Sequence, residues 1–231
     1  MDRRNLVLLP GLLCDAALWR HQTETLADIC LPWVADLTQD ESLPAMAERV
    51  LDKAPRTFCL AGLSMGGYLA QEIMRRAPER VERLALLNTN ARADSEAQSQ
   101  TRRELIRLSE LGKFKGVTPR LLPNLIHPSR LKDEAVTGVV LQMAERVGQD
   151  AFKRQQMAIL GRVDGRGDLP AIRVPSLIVC GREDALSPVA LHAEMAEAIP
   201  NAKLLVIEEC GHLSPLERPQ ATSDAMRAWL T

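Results

Sequence analysis

A serine flanked by glycines has the spacing of an activated nucleophile. Gly62-Leu63-Ser64-Met65-Gly66 follows an apolar, β-favouring run that ends at Ala61, and a helical pattern begins directly after it. A chain that passes from strand to helix in so few residues forces Ser64 into a strained backbone conformation, and the two glycines let strand and helix approach closely. The pattern predicts a sharp turn with a serine hydroxyl at its tip. The plainer alternative is a glycine-rich turn with an incidental serine.

A serine hydroxyl is too weak an acid to attack a carbonyl near neutral pH, so it needs an adjacent base. His212 comes soon after a predicted strand at 203–207, and open α/β sheets bind ligands at the carboxyl ends of their strands. The other histidines fit the role less well, because His192 lies in the middle of a predicted helix, His21 in a surface helix and His127 in a helical insertion. We therefore expect His212 to be the base.

The base in turn needs a carboxylate that fixes its orientation, and this acid should also leave the end of a strand. Asp184 follows the predicted strand at 176–181, although an aspartate there could also serve as a turn or N-cap residue. Glu183 is the next choice, and Asp94, beyond the fourth strand, is the third. With Asp184, the chain order is nucleophile, acid, base, which is the order expected for one fold family.

The elements that must position these side chains alternate between strand and helix. Apolar runs predict strands near residues 6–9, 33–36, 57–61, 81–87, 176–181 and 203–207, and the last predicted helix ends at Trp229. Between residues 91 and 168 the sequence has only helical patterns. The order predicts an α/β fold: a mostly parallel sheet of about six strands, helices on both faces, and a helical cap inserted after the fourth strand.

Length and charge limit the organisation and the partners of the chain. At 231 residues we expect a single domain, 1–231, with its core at 1–90 and 169–231 and its cap at 91–168. A formal net charge of −1 without long blocks of like charge argues against nucleic acid or a membrane surface as partner. No segment approaches the roughly 18 apolar residues of a membrane span, and the apolar start is broken too early, at Pro10-Gly11, for a signal peptide.

Cysteine and histidine spacing argues against disulfides and metals. The five cysteines are odd in number and lack any C-x-x-C spacing, so we expect buried thiols in a reducing compartment and a cytoplasmic protein. The four histidines are scattered without the spacing of metal ligands. The predicted chemistry needs neither a metal nor an organic cofactor.

Together these motifs resemble the α/β-hydrolase family, and the resemblance covers essentially the whole chain. It implies that Ser64 is the nucleophile, Asp184 the acid and His212 the base, the last within Gly211-His212-Leu213-Ser214-Pro215-Leu216-Glu217-Arg218-Pro219. It also implies an oxyanion hole formed by the backbone N–H groups of Leu12 and Met65. The family usually has His-Gly before the first of these donors, whereas this chain has Pro10-Gly11.

Within that family, the chain is most similar to compact members with a helical cap. These include esterases of pimeloyl esters, enol-lactonases and a menaquinone-pathway lyase. The resemblance implies hydrolysis of a small carboxylic ester or lactone through an acyl-enzyme. It leaves open a lyase or C–C bond hydrolase that uses the same residues, and a small-molecule receptor without turnover, because fold alone does not choose a reaction. The oligomeric state stays open.

The predicted cap is basic. Residues 91–168 contain 14 Lys and Arg against 10 Asp and Glu, while the rest of the chain contains 15 against 20. Many of these cations could lie on solvated helix faces. A basic lid over an acidic core would also attract anionic substrates, and Arg130 and Arg162 lie beside apolar segments expected to face the pocket. We therefore take these two arginines as candidate binding groups for a distal carboxylate of the substrate.

Overall fold

The sheet has the six parallel strands that the apolar runs predict. The computed structural model describes residues 3–231, and within them every strand pairing is parallel, in the order β2-β1-β3-β4-β5-β6. The strands are β1 (Arg4–Leu9), β2 (Cys30–Val34), β3 (Phe58–Leu63), β4 (Val81–Leu87), β5 (Ser176–Gly181) and β6 (Ala202–Ile207).

Helices cover both faces of the sheet and bury a hydrophobic core on each. Alternate strand residues point to opposite faces, so Val7 and Leu9 enter one core while Leu6 and Leu8 enter the other. The first core is closed by helices α2, α3 and α7, and the second by α9 with part of the cap. The bounds outside the cap are α1 (Arg20–Thr25), α2 (Leu43–Lys53), α3 (Met65–Arg76), α7 (Val189–Ala198), α8 (Ser214–Glu217) and α9 (Pro219–Leu230).

Strand β2 begins and ends earlier than predicted. It spans Cys30–Val34, whereas the sequence suggested residues 33–36. Pro32 lies inside it and pairs in register with Leu6. A proline lacks the N–H that a central strand needs, so Pro32 in the sequence argues against a central strand at this place. The structure tolerates Pro32 because β2 is an edge strand with a neighbour on one side only.

The cap between β4 and β5 is helical, as predicted. Its helices are α4 (Glu96–Leu108), which continues into a π-helical turn, α5 (Leu122–Leu125) and α6 (Glu134–Leu160). The sequence suggested two separate helical patterns where α6 forms one long helix with a kink, at which Gly148 has φ 76°. The division into core and cap at residues 91 and 168 stays a prediction, and residues 1 and 2 of the predicted domain lie outside the described part of the chain.

Two further features concern membranes and cysteines. Across residues 3–231, no helix combines the length and the apolar character needed to cross a membrane. All five cysteines are buried and free. Burial raises the pKa of the Cys180 thiol to about 12, so this side chain stays protonated near neutral pH.

Candidate active site

The turn between β3 and α3 carries Ser64 in a strained conformation. Its φ of 54° and ψ of −114° lie in a region that non-glycine residues rarely adopt. Glycine is required on both sides: a Cβ at Gly62 would lie 2.2 Å from Gly66 O, and a Cβ at Gly66 would lie 2.2 Å from Leu9 O. The close approach of strand and helix expected from the sequence is therefore present.

The two backbone N–H groups expected to form an oxyanion hole come from different elements beside Ser64. Met65 is the first residue of α3, so its N–H lacks an intrahelical acceptor and lies in the positive potential of the helix N-terminus. Leu12 belongs to the loop after β1. A Cβ on its neighbour Gly11 would lie 3.5 Å from Ser64 Cβ, so this loop packs against the turn that carries the serine.

The cap holds the loop that contains Leu12. The next residue, Leu13, has φ 58° and donates its N–H to Gln155 Oε1 at 3.0 Å. Gln155 is fully buried in α6, and its Nε2 donates to Leu37 O at 3.1 Å. Sequence reasoning missed this glutamine, because the partners of its amide lie more than a hundred residues away along the chain.

Asp184 and His212 form a buried pair at the carboxyl ends of β5 and β6. His212 Nδ1 donates to both Asp184 oxygens at 2.9 Å, and the two residues are 4% and 3% exposed, respectively. Burial alone would raise the pKa of Asp184. The attraction of His212 and hydrogen bonds from His212, Asn88 and the Ser187 N–H hold this pKa below its ordinary value. The carboxylate is thus kept ionised, and it fixes His212 with Nε2 as the free acceptor.

The loop after β4 joins the serine turn to the acid–base pair. Asn88 has φ 47° and is fully buried, and its Nδ2 donates to Asp184 Oδ2 at 3.0 Å and to Gly211 O at 3.1 Å. Thr89 Oγ1 donates to Ser64 O at 2.9 Å. Sequence reasoning identified this segment only as a strand end. An asparagine at that point, able to adopt a left-handed conformation, was the available signal.

Within residues 3–231, the Ser64 hydroxyl makes no hydrogen bond to His212. Hydrogen bonds between a nucleophile and its base are often long in free enzymes and shorten when substrate binds. Hydrogen bonds from the side chains of Asn88 and Thr89 to Gly211 O and Ser64 O nevertheless tie both loops to the segment after β4. That His212 deprotonates Ser64 stays a prediction.

The rival acids lie in other interactions. Glu183 Oε2 accepts the N–H of Cys210 at 3.0 Å. Asp94 is paired with two arginines: Arg102 Nε donates to its Oδ2 at 2.7 Å, and Arg162 Nη1 lies 2.6 Å from its Oδ1. Of the three candidate acids, Asp184 is the one that contacts His212 in the described chain.

The rival histidines also have other partners. His21 Nδ1 contacts Ser223 Oγ at 2.8 Å, and His127 Nδ1 contacts Ser129 Oγ at 2.7 Å. His192 is buried in α7, as its position within a predicted helix suggested, and accepts the Thr89 N–H. Among residues 3–231, no group of three or more His, Cys, Asp or Glu side chains is arranged to hold a metal ion.

The two candidate substrate-binding arginines are both in ion pairs. Arg130 lies 3.2 Å from Asp133. Arg162 is 9% exposed, pairs with Asp94 and stacks over the Tyr68 ring at 4.3 Å. It lines a void of about 10 Å³, enough for one water molecule. A substrate role for either arginine stays a prediction.

Comparisons with known proteins agree with this fold. Residues 6–225 match the sequence profile of the alpha/beta hydrolase family. The chain is 31% identical to a putative non-heme bromoperoxidase, BpoC, of Mycobacterium tuberculosis, over 76% of this chain and 68% of that protein. It is 26% identical to a pimeloyl-[acyl-carrier protein] methyl ester esterase of Nitrosomonas europaea, over 94% and 91% of the two chains.

A solved structure is similar over almost the whole length. A thermophilic esterase from Thermogutta terrifontis superimposes with a TM-score of 0.87 at 28% identity, covering 98% of this chain and 89% of that one. The chain belongs to the alpha/beta hydrolase family. Membership supports hydrolase activity, and the geometry around Ser64 gives the place where that activity is to be tested.

Proposed function

We propose that this protein is a serine hydrolase that cleaves a small carboxylic ester or lactone through an acyl-enzyme. The observation that carries the proposal is the strained Ser64 at the N-terminus of α3 together with the buried Asp184–His212 pair. The segment after β4 contacts both, through Thr89 to Ser64 O and through Asn88 to Asp184. The fully hydrogen-bonded Asp184 carboxylate has the features of an orienting acid. The esterase names of two similar proteins support an ester as substrate.

In the proposed reaction, His212 Nε2 takes the Ser64 proton as the hydroxyl oxygen attacks the substrate carbonyl. Asp184 holds the imidazole through Nδ1 and stabilises the imidazolium that forms. The N–H groups of Leu12 and Met65 donate to the oxyanion, and the imidazolium returns its proton to the leaving alcohol. Water, deprotonated by His212, then releases the acid and regenerates Ser64. Protein groups supply every step, so the reaction uses neither a metal nor an organic cofactor.

We also propose that the substrate carries a carboxylate far from the scissile bond. Asp94 forms ion pairs with both Arg102 and Arg162, so these three side chains together carry one more positive charge than negative charge. The cluster lies beside Tyr68, one helical turn after Ser64. Arg130, which lies in the cap between α5 and α6 and pairs with Asp133, is the second candidate. A reducing, cytoplasmic location stays part of the proposal and is supported by the five free thiols.

Labelling and kinetics test the proposal together. A fluorophosphonate probe reacts with an activated serine, so we expect it to label the wild type and to leave Ser64→Ala unlabelled. On p-nitrophenyl esters of increasing chain length and on simple lactones, Ser64→Ala and His212→Ala should each lower kcat by several orders of magnitude, and the double variant should be little worse than either. His21→Ala, a histidine in α1 away from the pair, is the matched control.

Each negative result has a distinct meaning. Absence of labelling in the folded wild type would favour a receptor without turnover. Labelling without turnover of any ester or lactone would favour a lyase or a C–C bond hydrolase that uses the same serine. A double variant much worse than either single variant would show that the two residues do not act as one unit.

A further inference from the structure

Glu217 is a buried carboxylate that the proposed reaction does not use. It ends the short helix α8 and is 1% exposed. Its Oε2 accepts the N–H of Gly211 at 3.0 Å and of His127 at 2.6 Å, and its Oε1 accepts the N–H of Leu213 at 3.0 Å. Two of these three donors are the residues on either side of His212.

The contacts of Glu217 suit a side chain that offers two acceptor oxygens. Both oxygens accept, and all three donors are backbone N–H groups that cannot become acceptors. Among the described residues, Glu217 lies in no salt bridge, and the three hydrogen bonds to its carboxyl group all come from backbone N–H groups. A buried charge is costly unless hydrogen bonds compensate it. Here three backbone hydrogen bonds offset that cost, and two of them fix the residues on either side of His212.

The third donor joins the same loop to the cap. His127 follows α5, and the residue two positions before it, Leu125, accepts the His212 N–H through its carbonyl at 2.9 Å. The backbone of the candidate base is therefore held on one side by the cap and on both flanks by Glu217. Asp184 fixes only the imidazole ring, so the position of the ring depends on this backbone clamp.

We propose that Glu217 is a positioning residue for His212, which sets the distance between the base and Ser64 by clamping the backbone on both sides of the histidine and tying it to the cap. This inference rests on the proposed function, because it assigns a device to the base of that reaction. Glu217 itself does not touch the substrate or the reacting atoms.

Two substitutions separate charge from reach. In Glu217→Gln the side chain keeps its size, but one of its two oxygens becomes an NH₂ group, which cannot accept a backbone N–H. If the NH₂ group replaces Oε1, the contact with Leu213 is lost. If it replaces Oε2, the contacts with Gly211 and His127 are lost. In Glu217→Asp the charge is retained on a side chain one methylene shorter, which cannot reach both flanks. Glu208→Gln, an exposed surface glutamate paired with Arg182, is the matched control.

The main measurement is kcat and KM on a p-nitrophenyl ester, for each variant alone and combined with His212→Ala. A misplacement of a catalytic group by about 1 Å can cost on the order of 100-fold in rate. We expect Glu217→Gln to lower kcat by about 10- to 100-fold with KM within about twofold, and Glu217→Asp to fall between it and the wild type. In the His212→Ala background, Glu217→Gln should change the residual rate by less than about twofold, since it acts through the histidine.

Three results would overturn the inference. The first is a folded Glu217→Gln variant whose kcat is within twofold of the wild type. The second is a variant that changes only KM. The third is an equal fall in kcat when Glu217→Gln is made in the His212→Ala background, which would indicate general damage to the fold. Circular dichroism identifies the folded variants, and if Glu217→Gln does not fold, the same criteria apply to Glu217→Asp. Should His212→Ala alone leave kcat unchanged, the proposed function fails instead, so the two failures are distinguishable.

Discussion

Acid should destabilise the protein through His192, which is fully buried in α7. The Thr89 N–H donates to its Nε2 at 3.0 Å, and its Nδ1 contacts Pro188 O at 3.2 Å. A proton added to Nε2 would face the Thr89 N–H, so the charged ring cannot keep this contact. Burial lowers the pKa of His192 from 6.5 to about 4, although Pro188 O and Asp184 act in the opposite direction.

The size and sign of the effect follow from linkage. The unfolded chain binds the proton near pH 6.5 and the folded protein only near pH 4, so the free energy of unfolding falls as pH drops through that window. One pKa unit is worth about 1.4 kcal/mol, so the full loss below pH 4 is about 3 kcal/mol. Between pH 7 and pH 5 the same two pKa values give a loss of about 2 kcal/mol. For a protein of this size that corresponds to a fall in Tm of about 4–8 °C.

The assay compares the wild type with His192→Gln in urea unfolding at pH 7, 6 and 5. Glutamine can still accept the Thr89 N–H, but it does not titrate. Between pH 7 and pH 5, the free energy of unfolding of the variant should therefore fall by about 2 kcal/mol less than that of the wild type. A lower stability of the variant at pH 7 does not affect the comparison, because the measured quantity is the change with pH. Parallel pH dependences for the two proteins would refute the reasoning.

Three further predictions concern the site. Asp184→Asn should leave the fold intact but lower kcat by about 10⁴-fold, the loss known for the same change in a serine protease; a loss below about tenfold would transfer the role to Glu183 or Asp94. Gly66→Ala places a Cβ 2.2 Å from Leu9 O and should cost about 1–3 kcal/mol in urea unfolding, whereas Gly167→Ala, with open space around it, should not; equal stabilities would contradict the packing argument. Esters with a distal carboxylate should show a higher kcat/KM than neutral esters of equal length, and the preference should shrink with added salt and in Arg162→Met but not in Arg166→Met; equal rates at low ionic strength would favour a neutral acyl pocket.

The parts of the structure that local patterns determine were predictable. β4 and β5 have the predicted bounds because their apolar runs end at clear turn signals. The turn at Ser64 was predictable for the same reason, since strand, glycines and helix are adjacent in sequence. The start of α2 also has a local cause, because the Ser42 hydroxyl accepts the Ala45 N–H as an N-cap.

The choice among acids was not decided by local sequence. Asp184 and Glu183 are neighbours in one loop, and Asp94 follows another strand. Only the folded chain shows that Asp184 meets His212, while Glu183 is bonded to the Cys210 N–H. The supporting residues Asn88, Gln155 and Glu217 were missed because their contacts join loops far apart in sequence. A buried amide or carboxylate leaves no periodic signal in the sequence. Such residues are found only when the hydrogen-bond partners of the backbone groups in the folded chain are known.

These supporting contacts change how the cap is understood. A cap that only covers a pocket would influence substrate binding and leave the catalytic groups alone. Here α6 holds the loop of the candidate oxyanion donor through Gln155, and α5 holds the backbone of the candidate base through the Leu125 carbonyl. We therefore expect a change of cap sequence at these points to shift the candidate oxyanion donor and the candidate base relative to Ser64. Such substitutions should lower kcat even for small esters that do not reach the cap.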